Sequence, residues 1–152
     1  MQVRPATISE APALVSLINA AFRVEKFFID TARIDLAQVQ AFFRTGCFLV
    51  ADNGELAACV YVEQRGTRGY FGLLSVDPAR QKSGIGRRLV DAAEAHCRDL
   101  GCSAMDMQIV NLRSELPPFY QRLGYSEAGT APFPADVVTK LPCHFVRMSK
   151  SL

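Results

Sequence analysis

A strand, a glycine-rich turn, a long helix and a second strand follow one another in the middle of the sequence, and few folds accommodate that order. Residues 70–77, YFGLLSVD, are rich in the aromatic and aliphatic side chains that strands favour. Residues 84–101 repeat apolar side chains at helical spacing, and the predicted apolar face consists of Ile85, Leu89, Ala92, Ala93, His96 and Leu100. Residues 103–110, SAMDMQIV, are again strand-like. Two strands joined through a helix predict a parallel pair in one sheet.

The segments on either side of this unit predict further strands and helices. A short strand and two helices, the second at residues 36–46, precede a strand at residues 47–52 and another at residues 55–65. Asn53-Gly54 between these strands is a strong hairpin signal, so strands two to four form an antiparallel meander. The C-terminal part predicts a short helix, a strand, a proline-rich loop and a last strand at residues 117–124, 125–130, 131–142 and 143–150.

The predicted fold class is therefore mixed α/β, with an antiparallel N-terminal meander, a parallel central strand pair and helices on both faces. Apolar residues make up 49% of the 152 residues, which is enough for one buried core. No repeat, low-complexity segment or linker divides the sequence. We expect a single domain spanning residues 1–152.

Charge, hydropathy and cysteine content exclude several classes of protein. A net charge of +2 is too small to indicate a nucleic-acid partner. No apolar run approaches the ~20 residues that span a bilayer, and the N-terminus lacks a signal-peptide pattern. The five cysteines include no CxxC pair, and only two histidines are present, so a metal site is not expected. These features predict a cytoplasmic protein with reduced thiols, no metal and no membrane partner.

The turn between the central strand and helix, VDPARQKSGIGRRL, has the composition of an anion site. Gly84 and Gly86 stand where the helix begins, and a helix N-terminus offers unpaired N–H groups and partial positive charge. Glycine lets the backbone approach a bulky phosphate closely. Four cations surround the turn: Arg80, Lys82, Arg87 and Arg88. The pattern predicts a pyrophosphate ligand.

Two better-known phosphate motifs do not match this turn. The P-loop pattern GxxxxGK[ST] is absent, and the dinucleotide pattern GxGxxG fails because Leu89 stands at the third glycine. The turn instead resembles the acetyl-CoA-binding motif [RQ]xxGx[GA] of the GCN5-related N-acetyltransferase (GNAT) family, as Gln81-Lys82-Ser83-Gly84-Ile85-Gly86. The stretch NLRSELPPFYQRLGY, residues 111–125, is similar to a later motif of that family, and the element order is similar as well.

The resemblance implies acetyl-CoA as co-substrate and a set of residues that bind it. In the family, the fourth and fifth strands splay apart and the pantetheine arm fills the gap, bonded to strand backbone at positions that correspond to Leu74, Ser75 and Val76. The pyrophosphate is held by backbone N–H groups, here those of Gln81, Lys82, Ser83, Gly84, Ile85, Gly86 and Arg87. Asn111 matches a side chain that contacts the pantetheine. Phe119 could line the cofactor or belong to the core.

The resemblance also implies the catalytic groups. Tyr120 matches the tyrosine that approaches the coenzyme sulfur and can give it a proton or a hydrogen bond, and the Val76 N–H is the expected oxyanion donor. Asn111 and Tyr120 are two positions farther apart in this sequence than is common in the family. The extra residues coincide with Pro117-Pro118, which indicates that the loop before the short helix is rebuilt. The general base stays unassigned. Three residues come into question and none is compelling: Tyr70, Glu63 and Glu115.

The acceptor side is less defined by sequence. Residues 23–35 and 130–145 are expected to wall it, and the second segment has the length of a substrate lid. Carboxylates in these segments suit an amine, whereas Arg23 or Lys140 suits an amino acid carboxylate. His144 is expected to have a structural role.

The resemblance predicts an N-acetyltransferase acting on a primary amine of a small molecule, amino acid or peptide. A non-catalytic acyl-CoA-binding module and an unrelated nucleotide binder are the alternatives. A homodimer is possible, since dimers are the commonest assembly.

Overall fold

The computed structural model describes residues 1–152, which form seven strands and four α-helices. The strands are β1 (Gln2–Pro5), β2 (Cys47–Asp52), β3 (Leu56–Arg65), β4 (Arg68–Val76), β5 (Ala104–Val110), β6 (Ser126–Pro132) and β7 (His144–Ser151). The helices are α1 (Ala11–Ala21), α2 (Leu36–Thr45), α3 (Ile85–Asp99) and α4 (Leu116–Arg122). Single 3₁₀ turns precede α1, follow α1 and precede α3. None of these helices has the length and apolarity that crossing a membrane requires.

All seven strands belong to one sheet in the order β1-β2-β3-β4-β5-β7-β6. Strands β1 to β4 pair antiparallel, and β4 pairs parallel to β5. The structure therefore confirms the predicted fold class, with its meander and its single parallel step. It adds one feature that the sequence did not indicate: β7 inserts between β5 and β6 and pairs antiparallel with both.

The parallel pairing of β4 with β5 stops early and leaves a gap. The last paired residues are Tyr70 and Asp106, although β4 runs on to Val76 and β5 to Val110. A bulge in β4 lies at this point, because the register with β3 shifts and Leu73 adopts a φ of 56°. Bulges bend a strand and increase its local twist, which turns the end of β4 away from β5.

Helices cover both faces of the sheet. One core cluster lies under α3 and α4 and includes Phe71, Leu89 and Met105. The other lies under α1 and α2 and includes Leu14 and Phe48. The bulge distributes the end of β4 between them, since Leu73 packs in the second cluster while Leu74 and Val76 pack against the first.

Helix α3 is rotated from its predicted apolar face. Leu100 is 46% exposed, whereas Glu94 is buried. The Glu94 carboxylate accepts hydrogen bonds from Lys150 Nζ, at 3.0 and 3.1 Å, and from the Tyr125 hydroxyl at 2.7 Å. A buried carboxylate is tolerated when it is paired and hydrogen-bonded in this way. These contacts fasten α3 to β7 and to the residue that precedes β6.

Candidate active site

The β4 edge of the gap presents unpaired backbone groups. Asp77 N donates to Ala57 O at 2.9 Å, and the same antiparallel register pairs Ser75 with Cys59. Backbone groups alternate in direction along an antiparallel strand, so the N–H and C=O of Leu74 and Val76 point away from β3 and into the gap. Two of the three predicted pantetheine-binding positions therefore face the gap through their backbones.

Ser75 does not face the gap. Its backbone lies toward β3, and its buried hydroxyl donates to the Leu73 carbonyl at 2.8 Å. That hydrogen bond spans the bulge and stabilises it. The geometry therefore gives Ser75 a role in shaping the strand end and leaves it without a group directed at a ligand in the gap.

The β5 edge of the gap mirrors the β4 edge. Leu152 N donates to Ser103 O, and Asn111 N donates to His144 O, so the odd-numbered residues of this strand pair with β7. The backbone groups of Gln108 and the N–H of Val110 consequently point toward β4, beyond the last parallel pair, whereas Val110 O accepts from Arg113 N at 3.0 Å. Backbone donors and acceptors thus line both edges of the gap without bonding one another.

The glycine-rich turn lies at the open end of β4 and leads into α3. Gly84 caps the helix with a φ of 80°, and Lys82 also has a positive φ of 67°. No side chain caps the helix, so the first N–H groups of α3 carry no intrahelical partner. The predicted ligand residues Gln81, Lys82, Ser83, Gly84 and Arg87 are exposed, Gly86 is half-buried and Ile85 is buried. Backbone rather than side chains is therefore available to an anion here.

The four cations of the turn are not equivalent. Arg80 Nη1 donates to the amide oxygen of Asn53, and Arg88 Nη2 donates to Met1 O at 3.4 Å. Ser83 Oγ donates to Arg80 O at 2.6 Å and holds the turn closed. Lys82 and Arg87 have no ion-pair partner in the protein. These two side chains remain free to approach an anionic ligand.

Phe119 on α4 connects the turn with the gap. A Cβ on Gly86 would lie 3.7 Å from the Phe119 ring, 3.7 Å from a Val76 methyl and 3.9 Å from a Leu74 methyl. The first turn of α3, the end of β4 and α4 therefore meet at one point. This position makes Phe119 part of the wall of the gap.

Tyr120 lies next to Phe119 and is buried. Its ring packs against Phe71, Phe119 and Tyr125 with centroid distances of 5.0 to 6.2 Å. Burial raises the pKa of the Tyr120 hydroxyl. The positive charge of Arg113 lowers this pKa and offsets the effect of burial only in part. The hydroxyl therefore keeps its proton and can act as a hydrogen-bond donor.

The Asn111 side chain is engaged in the sheet. Its Oδ1 accepts from His144 N at 2.9 Å, which extends the β5–β7 ladder by one residue. The amide nitrogen makes no hydrogen bond within the protein. Only this Nδ2 donor is left for a ligand, so Asn111 has a structural role beside the predicted one.

A largely buried ion pair joins the 3₁₀ turn after α1 to the segment that follows β5. Glu25, in the 3₁₀ turn after α1, accepts from Arg113 Nη1 at 2.9 Å. Arg113 follows the end of β5 and also donates to Glu115 at 2.8 Å. Burial raises the pKa of Glu25, and the guanidinium of Arg113 acts in the opposite direction. Sequence reasoning named Glu115 as a possible base and counted Glu25 among the carboxylates of the acceptor wall, but it missed Arg113 and the pair that Arg113 forms with Glu25.

Tyr70 lies beside the bulge on the α1–α2 side of the sheet. A Cβ on Gly72 would come within 2.8 Å of the Tyr70 hydroxyl, so the ring lies over Gly72. Arg65 stacks on this ring with its Cζ 3.9 Å from the centroid, and it also bonds Glu63 at 3.1 Å. Burial raises the pKa of Tyr70, which makes it a poor base. Glu63 is tied to Arg65, so neither residue fills the role of general base.

The two predicted wall segments meet. Lys140 N donates to Phe28 O at 2.7 Å, and Lys140 Nζ contacts Asp30 at 2.9 Å and Lys26 O at 3.2 Å. The segment between β6 and β7 is therefore fastened to the connection between α1 and α2. Exposed apolar side chains belong to both segments: Val24, Phe27, Val138 and Leu141.

The arrangement combines two chemical capacities. The gap offers backbone donors and acceptors that an extended amide-containing chain could pair with as a strand does, and it ends at the first turn of α3, which suits an anion. Tyr120 packs directly against Phe119, which lies at the wall of this gap. No group of three or more His, Cys, Asp or Glu side chains in the structure could hold a metal ion.

Comparison with known proteins agrees with this geometry. The acetyltransferase (GNAT) family model matches residues 12–125, a range that contains both edges of the gap, the glycine-rich turn and Tyr120. The chain is 31% identical over 96 residues to the blasticidin-S acetyltransferase of Streptomyces morookaense, which covers 62% of this chain and 69% of that protein.

Two further similarities differ in extent. The chain is 36% identical over 63 residues to the mycothiol acetyltransferase of Propionibacterium freudenreichii subsp. shermanii, which is 41% of this chain but only 20% of that protein. The chain therefore matches a fifth of that relative's length. The structure of yncA from Salmonella typhimurium with its cofactor acetyl-CoA superposes with a TM-score of 0.78 at 20% identity, covering 100% of this chain and 94% of that one.

Proposed function

This chain belongs to the acetyltransferase (GNAT) family, whose acyl donor is acetyl-CoA, and from that premise we propose that it transfers an acetyl group from acetyl-CoA to a primary amine. The amine belongs to a small molecule, an amino acid or a peptide. Transfer is direct, within a complex that holds both substrates. The observation that carries the proposal is the gap between β4 and β5, which is lined by backbone groups that do not bond across it and which ends at the glycine-rich turn.

The proposed donor site uses backbone at both ends. Leu74 and Val76 offer their N–H and C=O groups to the pantetheine arm, and the N–H groups at the start of α3 bind the pyrophosphate. Gln81 to Arg87 form the anion-binding turn, with Lys82 and Arg87 adding charge. Asn111 contributes its free amide N–H, and Phe119 gives an apolar wall. Ser75 makes no direct contact with acetyl-CoA in this proposal, because its polar groups are used within the sheet.

The chain's own groups orient the reactants and hold protons. Acetyl-CoA supplies an activated acyl thioester when bound. Tyr120 keeps its proton because burial raises its pKa, and its hydroxyl donates a hydrogen bond where negative charge builds up on the leaving sulfur. The Val76 N–H, directed into the gap, is the proposed donor to the carbonyl oxygen. Because Tyr70, Glu63 and Glu115 do not suit the role of base, the ammonium proton leaves through solvent.

A calorimetric titration of acetyl-CoA into the protein tests this proposal, with ATP and NAD as controls. Micromolar binding of acetyl-CoA and none of the controls is the expected result. Mass spectrometry of amine acceptors incubated with protein and acetyl-CoA then detects transfer. Absence of acetyl-CoA binding would refute the donor site, and binding without any acetylated product would favour a non-catalytic acyl-CoA-binding module.

We propose further that the 152 residues act as one domain in the cytoplasm. All five cysteines are free thiols, and three of them are buried, which is consistent with a reducing compartment.

A further inference from the structure

The expected acceptor walls hold two arginines that have no ionic partner, Arg23 and Arg33, and of these only Arg33 stacks on an aromatic ring. Arg65 pairs with Glu63, and Arg113 takes both Glu25 and Glu115. Lys140 is bound to Asp30. Arg33, which lies in the connection between α1 and α2, makes no ion pair and no side-chain hydrogen bond within the protein.

Arg33 is nevertheless held in position. The amide of Asn19 bonds the backbone of the next residue in both directions, donating to Ile34 O at 2.9 Å and accepting from Ile34 N at 3.0 Å. The Ile34 side chain is buried. The guanidinium of Arg33 lies over the Phe22 ring with Cζ 5.2 Å from the centroid. A fixed backbone and a stacked guanidinium lower the entropic cost of binding a ligand.

The stacking partner of Arg33 relates it to the end of β5. Phe22 belongs to the same 3₁₀ turn as Glu25, and Glu25 accepts a hydrogen bond from Arg113 beyond the end of β5. Arg33 is exposed to solvent, and desolvation by the surrounding protein lowers its pKa, while the carboxylate of Glu25 acts in the opposite direction. Arg33 therefore lies on the α1–α2 side of the sheet, near the end of the β5 edge of the gap.

We propose that Arg33 binds a carboxylate of the acceptor, so that the acceptor is an amine bearing a carboxylate group nearby, as in an α-amino acid. This inference rests on the proposed acetyl transfer and specifies its substrate class. A guanidinium presents parallel N–H donors that match a carboxylate, and such charge-assisted pairs strengthen when partly desolvated.

The local charges favour this class over a cationic acceptor such as a polyamine. The three carboxylates nearest the bulge, Glu25, Glu63 and Glu115, are each already bonded to an arginine. An incoming ammonium group would have to share a carboxylate with an arginine already bound to it, whereas an incoming carboxylate meets a free guanidinium. Lys140, another cation of the walls, is occupied by Asp30 and by the Lys26 carbonyl, and Arg23 has no aromatic ring to hold its guanidinium in place.

Matched acceptor pairs test the proposal. The wild-type protein is assayed for coenzyme A release with each of the standard α-amino acids, with their α-amides, and with spermidine and a short peptide. We expect at least one free amino acid to be acetylated with a kcat/KM at least about tenfold above that of its amide. Arg33→Met should remove this preference by raising KM for the acid, while Arg33→Lys should restore part of it.

Controls separate the outcomes. Arg44→Met removes an exposed arginine at the end of α2 and should change nothing. Equal rates for acids and amides, or an equal loss for both with Arg33→Met, would overturn the inference while leaving acetyl transfer intact. The same loss of preference with Arg23→Met in place of Arg33→Met would also overturn it. Failure to acetylate any amine would instead refute the proposed function itself.

Discussion

The donor half and the acceptor half of the proposed site are built from different parts of the chain. The donor half consists of backbone: the ends of β4 and β5 and the turn from Gln81 to Gly84. The acceptor half consists of side chains, with Glu25, Arg33 and Arg113 at its centre.

This difference determines what each half can recognise. Backbone groups have the same chemistry in every residue, so the donor half depends on chain direction and on glycine rather than on particular side chains. Side chains carry the selectivity of the acceptor half, where exchanging one guanidinium changes the ligand that is bound. We therefore expect variants of the donor half to change the affinity for acetyl-CoA, and variants of the acceptor half to change the choice of amine.

Gly84→Asp should have the largest effect on the donor half. The carboxylate adds bulk and negative charge at the anion-binding end of α3, and we expect the affinity for acetyl-CoA to fall at least about a hundredfold. Gly101→Asp is the matched control, because Gly101 lies beyond the other end of α3 with a φ of 85° and, like Gly84, has no atom near the position of a Cβ. Both variants carry similar backbone strain, and the helix dipole favours a carboxylate at Gly84 over one at Gly101, so a loss of acetyl-CoA affinity measured by calorimetry and confined to Gly84→Asp cannot be attributed to lower stability. Equal affinities would remove the turn from the donor site.

Tyr120→Phe should have the next largest effect, on turnover alone. Loss of the hydroxyl should lower kcat about ten- to a hundredfold while the Kd of acetyl-CoA changes little, because the ring still packs against Phe71 and Tyr125. Tyr125→Phe is the control: it removes the hydrogen bond to Glu94 and should lower stability by about 1.5–3 kcal/mol with little change in kcat. A Tyr120→Phe enzyme with wild-type turnover would exclude the hydroxyl from catalysis.

Gly72→Ala should affect the acceptor half more than the donor half. The added methyl would lie 2.8 Å from the Tyr70 hydroxyl, so the Tyr70 ring must move away from the bulge. We expect KM for the amine to rise several-fold, whereas the Kd of acetyl-CoA stays within about twofold. Steady-state kinetics together with a titration measures both. A larger change in acetyl-CoA affinity than in amine KM would contradict the division of the site.

The smallest effect concerns a network that belongs to neither half. Arg4 bonds Glu10 and Asp52, and the hydrogen bond from Arg4 lowers the pKa of Glu10 from 4.5 to about 2. A carboxylate with a lowered pKa in the folded state stabilises the protein above pH 4.5, and this contribution is lost as the pH falls through about 2. Arg4→Met should therefore lower Tm slightly at pH 7 and by clearly less at pH 2.5, with unchanged acetyl-CoA affinity. An equal loss at both pH values would show that Arg4 acts through packing.

The donor half could be predicted from sequence because its signals are local. Two glycines at the start of a helix and an apolar strand before them lie within a few positions of each other, and the structure has α3 beginning just after Gly84. The parallel step was predictable for the same reason. The exception is Ser75, whose orientation depends on the bulge and on the register with Cys59.

The acceptor half could not be predicted, because its pairs join distant residues. Glu25 and Arg113 are 88 positions apart, and nothing in the stretch that contains Arg113 indicates Glu25 as its partner. The rotation of α3 was missed for a similar reason. The carboxylate of Glu94 is buried because it pairs with Lys150, which lies 56 positions away along the chain. The insertion of β7 between β5 and β6 also depends on pairing between distant strands and has no local pattern.

Amide hydrogen exchange measured by NMR with and without acetyl-CoA tests the central claim most directly, because it reports on the backbone groups themselves. If the donor site is made of backbone, acetyl-CoA should slow exchange at Val76 and at residues 85–87 and leave residues 22–35 unchanged. Binding of acetyl-CoA without protection at these amides, or with protection confined to residues 22–35, would contradict the account.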